Sequence, residues 1–168
     1  MRRTVKIVIA LTLVLVVAIW GCVDEAPHTT GRPMNITVRT LDAKKTYTKL
    51  ASLRGHVVLI DFWGTYCGPC KITMPVLQKI YARYQSKGVK MMAITREDRD
   101  KINAFRKDSG VTYPMFTDET GVAMSAFRVE GIPHLFVVDK KGVVVYDEEA
   151  APLTEDKLVL AIEKALQE

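Results

Sequence analysis

Cys67-Gly68-Pro69-Cys70 is the place in this 168-residue chain where residue types and spacing specify a reaction. Thiol–disulfide exchange begins when a thiolate attacks a sulfur and forms a mixed disulfide, which a second thiol must then resolve. Two intervening residues put the second thiol one helical turn from the first, within reach of the bond the first has made. A helix N-terminus carries about half a positive charge and unsatisfied N–H groups. Cysteines placed there titrate at roughly 3.5–7.5 instead of about 8.5. Gly68 lets the backbone approach a partner, and Pro69 suits a first helical turn, where no N–H is needed. A loop this small adds little chain-entropy stabilisation, so the pair serves chemistry rather than stapling the fold.

Other uses of a Cys-x-x-Cys pair lack their partners. Structural zinc needs a second ligand pair, and beyond Cys22 the chain offers only isolated histidines, His28, His56 and His134. Covalent haem attachment needs histidine directly after the second cysteine, where Lys71 stands. A peroxidatic cysteine would want threonine three residues before it, where Gly64 stands. A metal-binding or metal-delivery module using both thiolates and His134 is the alternative from another functional class.

The flanking pattern supplies elements to position the pair. Val57 to Phe62 is apolar except for Asp61, as expected of a strand buried on both faces. Val76, Leu77, Ile80, Tyr81 and Tyr84 recur at helical spacing after Cys70, with Pro75 removing one backbone donor. Ile36–Leu41 alternates as a strand, a turn at Asp42–Lys45 follows, and Thr46–Thr48 is extended. Leu50–Arg54 reads as one helical turn, Val89–Thr95 as a strand, Arg99–Ser109 and Glu119–Phe127 as helices. Pro133–Asp139 and Gly142–Tyr146 form a hairpin through Lys140-Lys141, and Thr154 caps a last helix that opens with Glu155 and Asp156. The order β-β-α-β-α-β-β-α requires an α/β fold with a mixed sheet and helices on both faces. Asp61 lies six residues before Cys67. Burial there raises its carboxyl pKa towards a proton-shuttling range, whereas a solvated strand-end carboxylate is the plainer alternative.

Arg2, Arg3 and Lys6 followed by an apolar run from Ile7 to Trp20 mark residues 1–22 as a signal sequence or membrane anchor. Ile19-Trp20-Gly21-Cys22 resembles a bacterial lipobox, with Cys22 as the lipid-bearing residue; an uncleaved anchor is the alternative. The run is short for a membrane span, which needs roughly 20 apolar residues. Residues 23–34 read as a linker and 35–168 as the folded domain. The net charge of +5 makes no nucleic-acid face, because no basic run is interleaved with aromatics.

The segment from Asp61 to Lys71, Asp-Phe-Trp-Gly-Thr-Tyr-Cys-Gly-Pro-Cys-Lys, resembles the active-site segment of thioredoxins. Pro75 matches the helix proline of that family, and Gly131-Ile132-Pro133 its cis-proline loop. From about Ile36 onward the elements are similar to the membrane-tethered TlpA and ResA-like branch. The resemblance implies a thioredoxin fold, a central mixed sheet with helices on both faces and an added N-terminal hairpin. It implies Cys67 as nucleophile, Cys70 as resolving thiol, Asp61 as the proton-transfer carboxylate, Trp63 flanking the site and Pro133 in the cis form. A partner segment would lie along Gly68, Pro69, the Ile132 backbone and His134. Glu97 falls where ResA-like proteins place a carboxylate facing the active-site cavity, with Asp98 as competitor and a plain surface acid as the simpler reading. Departures are His134 in place of threonine and Ala151 in place of a glycine near the partner groove.

The implied function is an extracytoplasmic, membrane-tethered and monomeric oxidoreductase that reduces disulfides of exported proteins, apocytochrome c by analogy. It would need no cofactor beyond the Cys67–Cys70 disulfide and would draw electrons from a membrane donor. A Gly-Pro dipeptide between the cysteines resembles reductases, and an oxidase or isomerase of the same fold is the alternative.

Overall fold

Alternation along the strand that leads to the cysteines separates two apolar layers. In the computed structural model, which describes residues 29–41, 46–149 and 153–168, this strand is β3, Val58–Phe62. Val57, Leu59 and Trp63 enter one layer, while Val58, Ile60 and Phe62 enter the other. Both sets are buried, as the unbroken apolar pattern requires. The anchor with Cys22, His28, the turn at residues 42–45 and Ala151 lie outside the described residues.

Ahead of β3 come β1 (Thr37–Thr40), β2 (Tyr47–Lys49) and a 3-10 turn at Leu50–Leu53. After it come α1 (Gly68–Tyr84), β4 (Lys90–Thr95), α2 (Arg99–Ser109), β5 (Met115–Thr117) and α3 (Val122–Ala126). The chain closes with β6 (His134–Val138), β7 (Val144–Glu149) and α4 (Glu155–Gln167). The strands form one mixed sheet in the order β2-β1-β5-β4-β3-β6-β7. β3, β4 and β5 run parallel, and β6, β7 and the β1–β2 hairpin pair antiparallel. Crossovers β3–α1–β4 and β4–α2–β5 step the same way along the sheet, so helices of one hand fall on one face. Accordingly Met74, Leu77 and Ile80 of α1 and Ile102 of α2 share a layer with Leu158 and Ile162 of α4. Ala123 of α3 packs in the opposite layer, where the Phe127 and Phe136 rings lie 4.8 Å apart. The expected architecture is thus present, with the added hairpin at the β5 edge.

Three details differ from the sequence reading. Met115–Thr117 is a strand with no expected counterpart; three residues behind Pro114 are too few to show alternation. Thr154 makes no side-chain cap on α4: its hydroxyl turns to Glu148 Oε1 at 3.4 Å, and the backbone starts the helix instead. Residues 29–34, assigned to the linker, are bonded to the β7 edge. Gly31 N–H donates to Val144 O at 2.7 Å and Met34 N–H to Gly142 O at 2.9 Å. Their proline and glycine content argues against helix but leaves edge pairing open.

Candidate active site

Trp63 to Tyr66 turn the chain from β3 into α1. Cys67 N–H donates to Gly64 O at 3.1 Å, closing a tight turn. A Cβ on Gly64 would lie 2.8 Å from Tyr66 Cε1, so a side chain there would push the exposed Tyr66 ring aside. Cys67 is the N-cap of α1 with extended backbone, and Cys70 N–H donates to its Sγ at 3.1 Å. The two cysteines form a disulfide with Cα atoms 5.3 Å apart. Cys67 is 6% exposed and Cys70 1%, which makes Cys67 the sulfur a partner can reach. On reduction the N–H that now points at Cys67 Sγ, together with the helix terminus, favours the thiolate there.

Asp61 lies between Leu59 and Trp63 on the face of β3 that carries the cysteine layer. It is 1% exposed, and neither carboxyl oxygen has a hydrogen-bond partner within the protein. Burial pushes its carboxyl from the usual 3.8 up to about 7. Such a group exchanges protons near neutral pH. Asp61 is therefore not a solvated strand-end carboxylate. The Tyr113 hydroxyl is also buried without a partner, and burial followed by the Asp61 charge pushes its pKa up. Sequence reasoning missed Tyr113, because nothing local links it to a residue on a different strand. Trp63 packs: it is 1% exposed and its ring lies 5.1 Å from that of Phe105.

The Ile132–Pro133 bond is cis, and Ile132 O lies 3.7 Å from Cys67 Sγ. Gly68 and Pro69 are exposed beside it. His134 does not join them. Being one residue further along, it points to the opposite sheet face, stacks on Phe136 at 4.4 Å and is 8% exposed. Its Nε2 pairs with Asp147 Oδ1 at 2.7 Å. Asp147 Oδ2 in turn accepts from the Thr29 N–H at 3.1 Å and from the Thr29 hydroxyl. The expectation that His134 lines the partner groove is corrected by strand alternation.

Glu97 and Asp98 divide their roles. Asp98 caps α2, accepting from Lys101 N–H at 2.9 Å. Glu97 is no plain surface acid: its side chain is 9% exposed and reaches back to the active-site loop. Its Oε2 accepts from Thr65 N–H at 2.5 Å and its Oε1 from Thr65 Oγ1 at 2.7 Å. Lys101 Nζ pairs with Oε1. Burial pushes the Glu97 carboxyl up, but the Lys101 and Thr65 hydrogen bonds outweigh it and hold the group below its usual value. Thr65 went unnoticed in the sequence, since its contact with Glu97 joins residues 32 apart. Replacing Asp98 with alanine removes the cap on α2, and denaturant unfolding is expected to show a loss of about 1 kcal/mol.

The chain is 32% identical over 114 residues to thiol-disulfide oxidoreductase ResA of Bacillus thuringiensis subsp. konkukian, covering 67% of this chain and 65% of that protein. It is 33% identical over 98 residues to ResA of Bacillus subtilis, covering 58% and 55%. The chain thus spans 55–65% of these relatives' length. Among solved structures, a Chlorobium tepidum protein provisionally described as thiol:disulfide interchange protein DsbE matches with a TM-score of 0.73 and 25% identity. The match covers 82% of this chain and 97% of that one. The thioredoxin domain of a Bacteroides vulgatus thiol-disulfide oxidoreductase matches with a TM-score of 0.69 at 24% identity, over 82% and 97%. These matches make the mixed sheet a thioredoxin-like fold. Residues 24–147, which hold the cysteine turn, Asp61 and the cis-proline loop, match the AhpC/TSA family, and the chain belongs to that family.

Proposed function

We propose that this protein is an extracytoplasmic thiol–disulfide oxidoreductase that reduces disulfides in exported proteins through Cys67 and Cys70. The observation that carries the reading is Cys67 at the start of α1, accepting the Cys70 N–H while bonded to the Cys70 sulfur. The ResA relatives support it by name. Gly64, standing three residues before Cys67, argues against a peroxidatic site. His134 is bonded to Asp147, so it is no third ligand beside the two sulfurs for a metal-delivery role. Exposed Tyr66 (75%) and Ile72 (77%) flank the cysteines and suit an apolar polypeptide partner.

The charged and apolar pattern of residues 1–22 supports attachment to the outer face of a membrane, through a lipid on Cys22 or an uncleaved anchor. In that compartment reduction needs electrons from a membrane donor. The TlpA and ResA-like resemblance points to the haem-binding cysteines of apocytochrome c as substrate. The reduction potential of the Cys67–Cys70 pair tests the direction of flow. A value at or below about −200 mV fits a reductase, and one near about −120 mV, that of strong oxidants, overturns it in favour of an oxidase.

A further inference from the structure

Lys71 N–H donates to Cys67 O at 3.3 Å, which sets Lys71 one turn beyond Cys67 on the same side of α1. Met74, Pro75, Gln78 and Lys79 prolong that stripe at helical spacing. Facing it are Phe105 in the second half of α2 and Val111 just past its end. Between these walls runs a groove of about 500 Å³. The exchange at the cysteines uses none of this surface.

The lining is largely apolar, with Met74 and Val111 buried and Pro75 and Phe105 beside them. Lys71 and Lys79 line the groove as well; both are exposed, and no acidic residue lines it. Neither ammonium group has an ion-pair partner among the described residues. The walls are tied to each other. Gln78 Oε1 accepts from Thr112 N–H at 2.9 Å, and its Nε2 donates to Thr112 Oγ1 at 2.9 Å, fixing α1 to the chain after α2. Gly110, at φ 69°, turns the chain out of α2 without a side chain to fill the space. The groove is therefore preformed, as binding sites commonly are.

We propose that this groove receives an extended segment of the client protein that carries an apolar side chain between two acidic ones. This deepens the oxidoreductase reading and rests on it, because the client's bond to Cys67 delivers the segment. A client bonded one helical turn away makes this second contact intramolecular. Lys71 and Lys79 are eight residues apart, about 12 Å along α1. An extended chain advances about 3.3 Å per residue, so acids four residues apart span about 13 Å. In that conformation positions i, i+2 and i+4 point to one side. The pattern acid-x-apolar-x-acid thus sets both carboxylates on the lysines and the central side chain on Met74, Phe105 and Val111. Burial of that side chain supplies attraction, and the two charge pairs fix the register. An amphiphile with one anionic head would leave one lysine unmatched.

The test uses peptides whose one cysteine is joined by a disulfide to thionitrobenzoate. Cys67 of the reduced full-length protein attacks the peptide sulfur, coloured thionitrobenzoate leaves, and Cys70 then frees the peptide thiol. Two peptides carry Glu-x-Leu-x-Glu, one before and one after the cysteine; their isomers set the two glutamates side by side at the same composition and net charge. Rates are divided by those with an uncharged small disulfide, which cancels any change at Cys67 itself. One spaced peptide is expected to react about fivefold faster than its isomer, the scale of two exposed ion pairs. Serine in place of leucine is expected to remove most of that advantage. K79E is expected to abolish it and K79A to lower it about twofold. Lys79 lies about 18 Å along α1 from Cys67, beyond the roughly 8 Å over which charges act at physiological salt, so the loss reports the groove. Equal rates for spaced and adjacent acids, or an advantage that K79E leaves intact, overturn the proposal. Equal slowing of all peptides by dodecanoate overturns it in favour of a fatty acid, and dimerisation that K79E abolishes overturns it in favour of a second copy. A wild type that does not reduce even the small disulfide sinks the oxidoreductase reading itself, which keeps the two failures apart.

Discussion

With Cys70 replaced by serine, the protein is expected to remain covalently joined to each partner it attacks; with Cys67 replaced, it should attack none. The asymmetry follows from burial and from the helix start. Cys67 is the more accessible sulfur and receives the Cys70 N–H, so it forms the first bond with a partner. Cys70, at 1% exposure, meets only a bond already in place on its neighbour. C67S should therefore lower disulfide exchange by at least about 10³-fold, the scale on which losing an enzyme nucleophile registers. C70S should complete the first half-reaction and stop. Non-reducing electrophoresis of the two variants mixed with a disulfide-bonded peptide, followed by mass spectrometry, shows which sulfur holds the adduct. An adduct on Cys70 in C67S, formed as fast as the Cys67 adduct in C70S, would reverse the assigned roles.

The second large effect concerns Asp61 and the pH dependence of stability. Its folded carboxyl is raised to about 7 from 3.8, so the folded state keeps a proton that the unfolded chain has released. Stability bound to that proton is fully present below about pH 4, declines as pH rises to about 7, and is gone above it. Each pH unit of separation corresponds to about 1.4 kcal/mol, so the full decline is on the order of 4 kcal/mol. D61N has no proton to lose. Unfolding free energies of the oxidised wild type and D61N, measured at pH 4 and pH 8, should show the variant gaining on the wild type by that amount across the interval. A gain under about 1 kcal/mol would mean that water reaches the carboxylate and that burial does not control it. Under the role the thioredoxin resemblance implies for Asp61, acceptance of the Cys70 proton, the same substitution is expected to slow resolution of the mixed disulfide near neutral pH.

Much of the site could be read from the sequence because its parts are local. Cys67, Cys70, Gly68 and Pro69 are adjacent, and their spacing alone places them on one helical turn. Asp61 stood out as the acid in an otherwise apolar run, and the structure buries it on the face that carries the cysteine layer. Position within a strand also explains the error at His134. A residue next to Pro133 is close in sequence to the cysteines, but period-two alternation sends its side chain to the other side of the sheet. The Glu97–Thr65 contact was hidden for a different reason. Glu97 lies beyond a strand end, where no periodicity operates, and its partner is set by the parallel pairing of β3 with β4. The strand Met115–Thr117 was missed because three residues carry too little pattern, although their burial is complete.

With a lipid on Cys22, the bond from Thr29 to Asp147 would set how far the domain can travel. If Cys22 carries the lipid, about seven peptide steps separate the bilayer surface from Thr29, the first of the described residues and one fastened to the sheet, at most roughly 25 Å at full extension. A leash that short confines the catalyst to a thin shell over the lipid headgroups. Its clients must then be met there, emerging from or held at the same surface, rather than by search through the open space beyond.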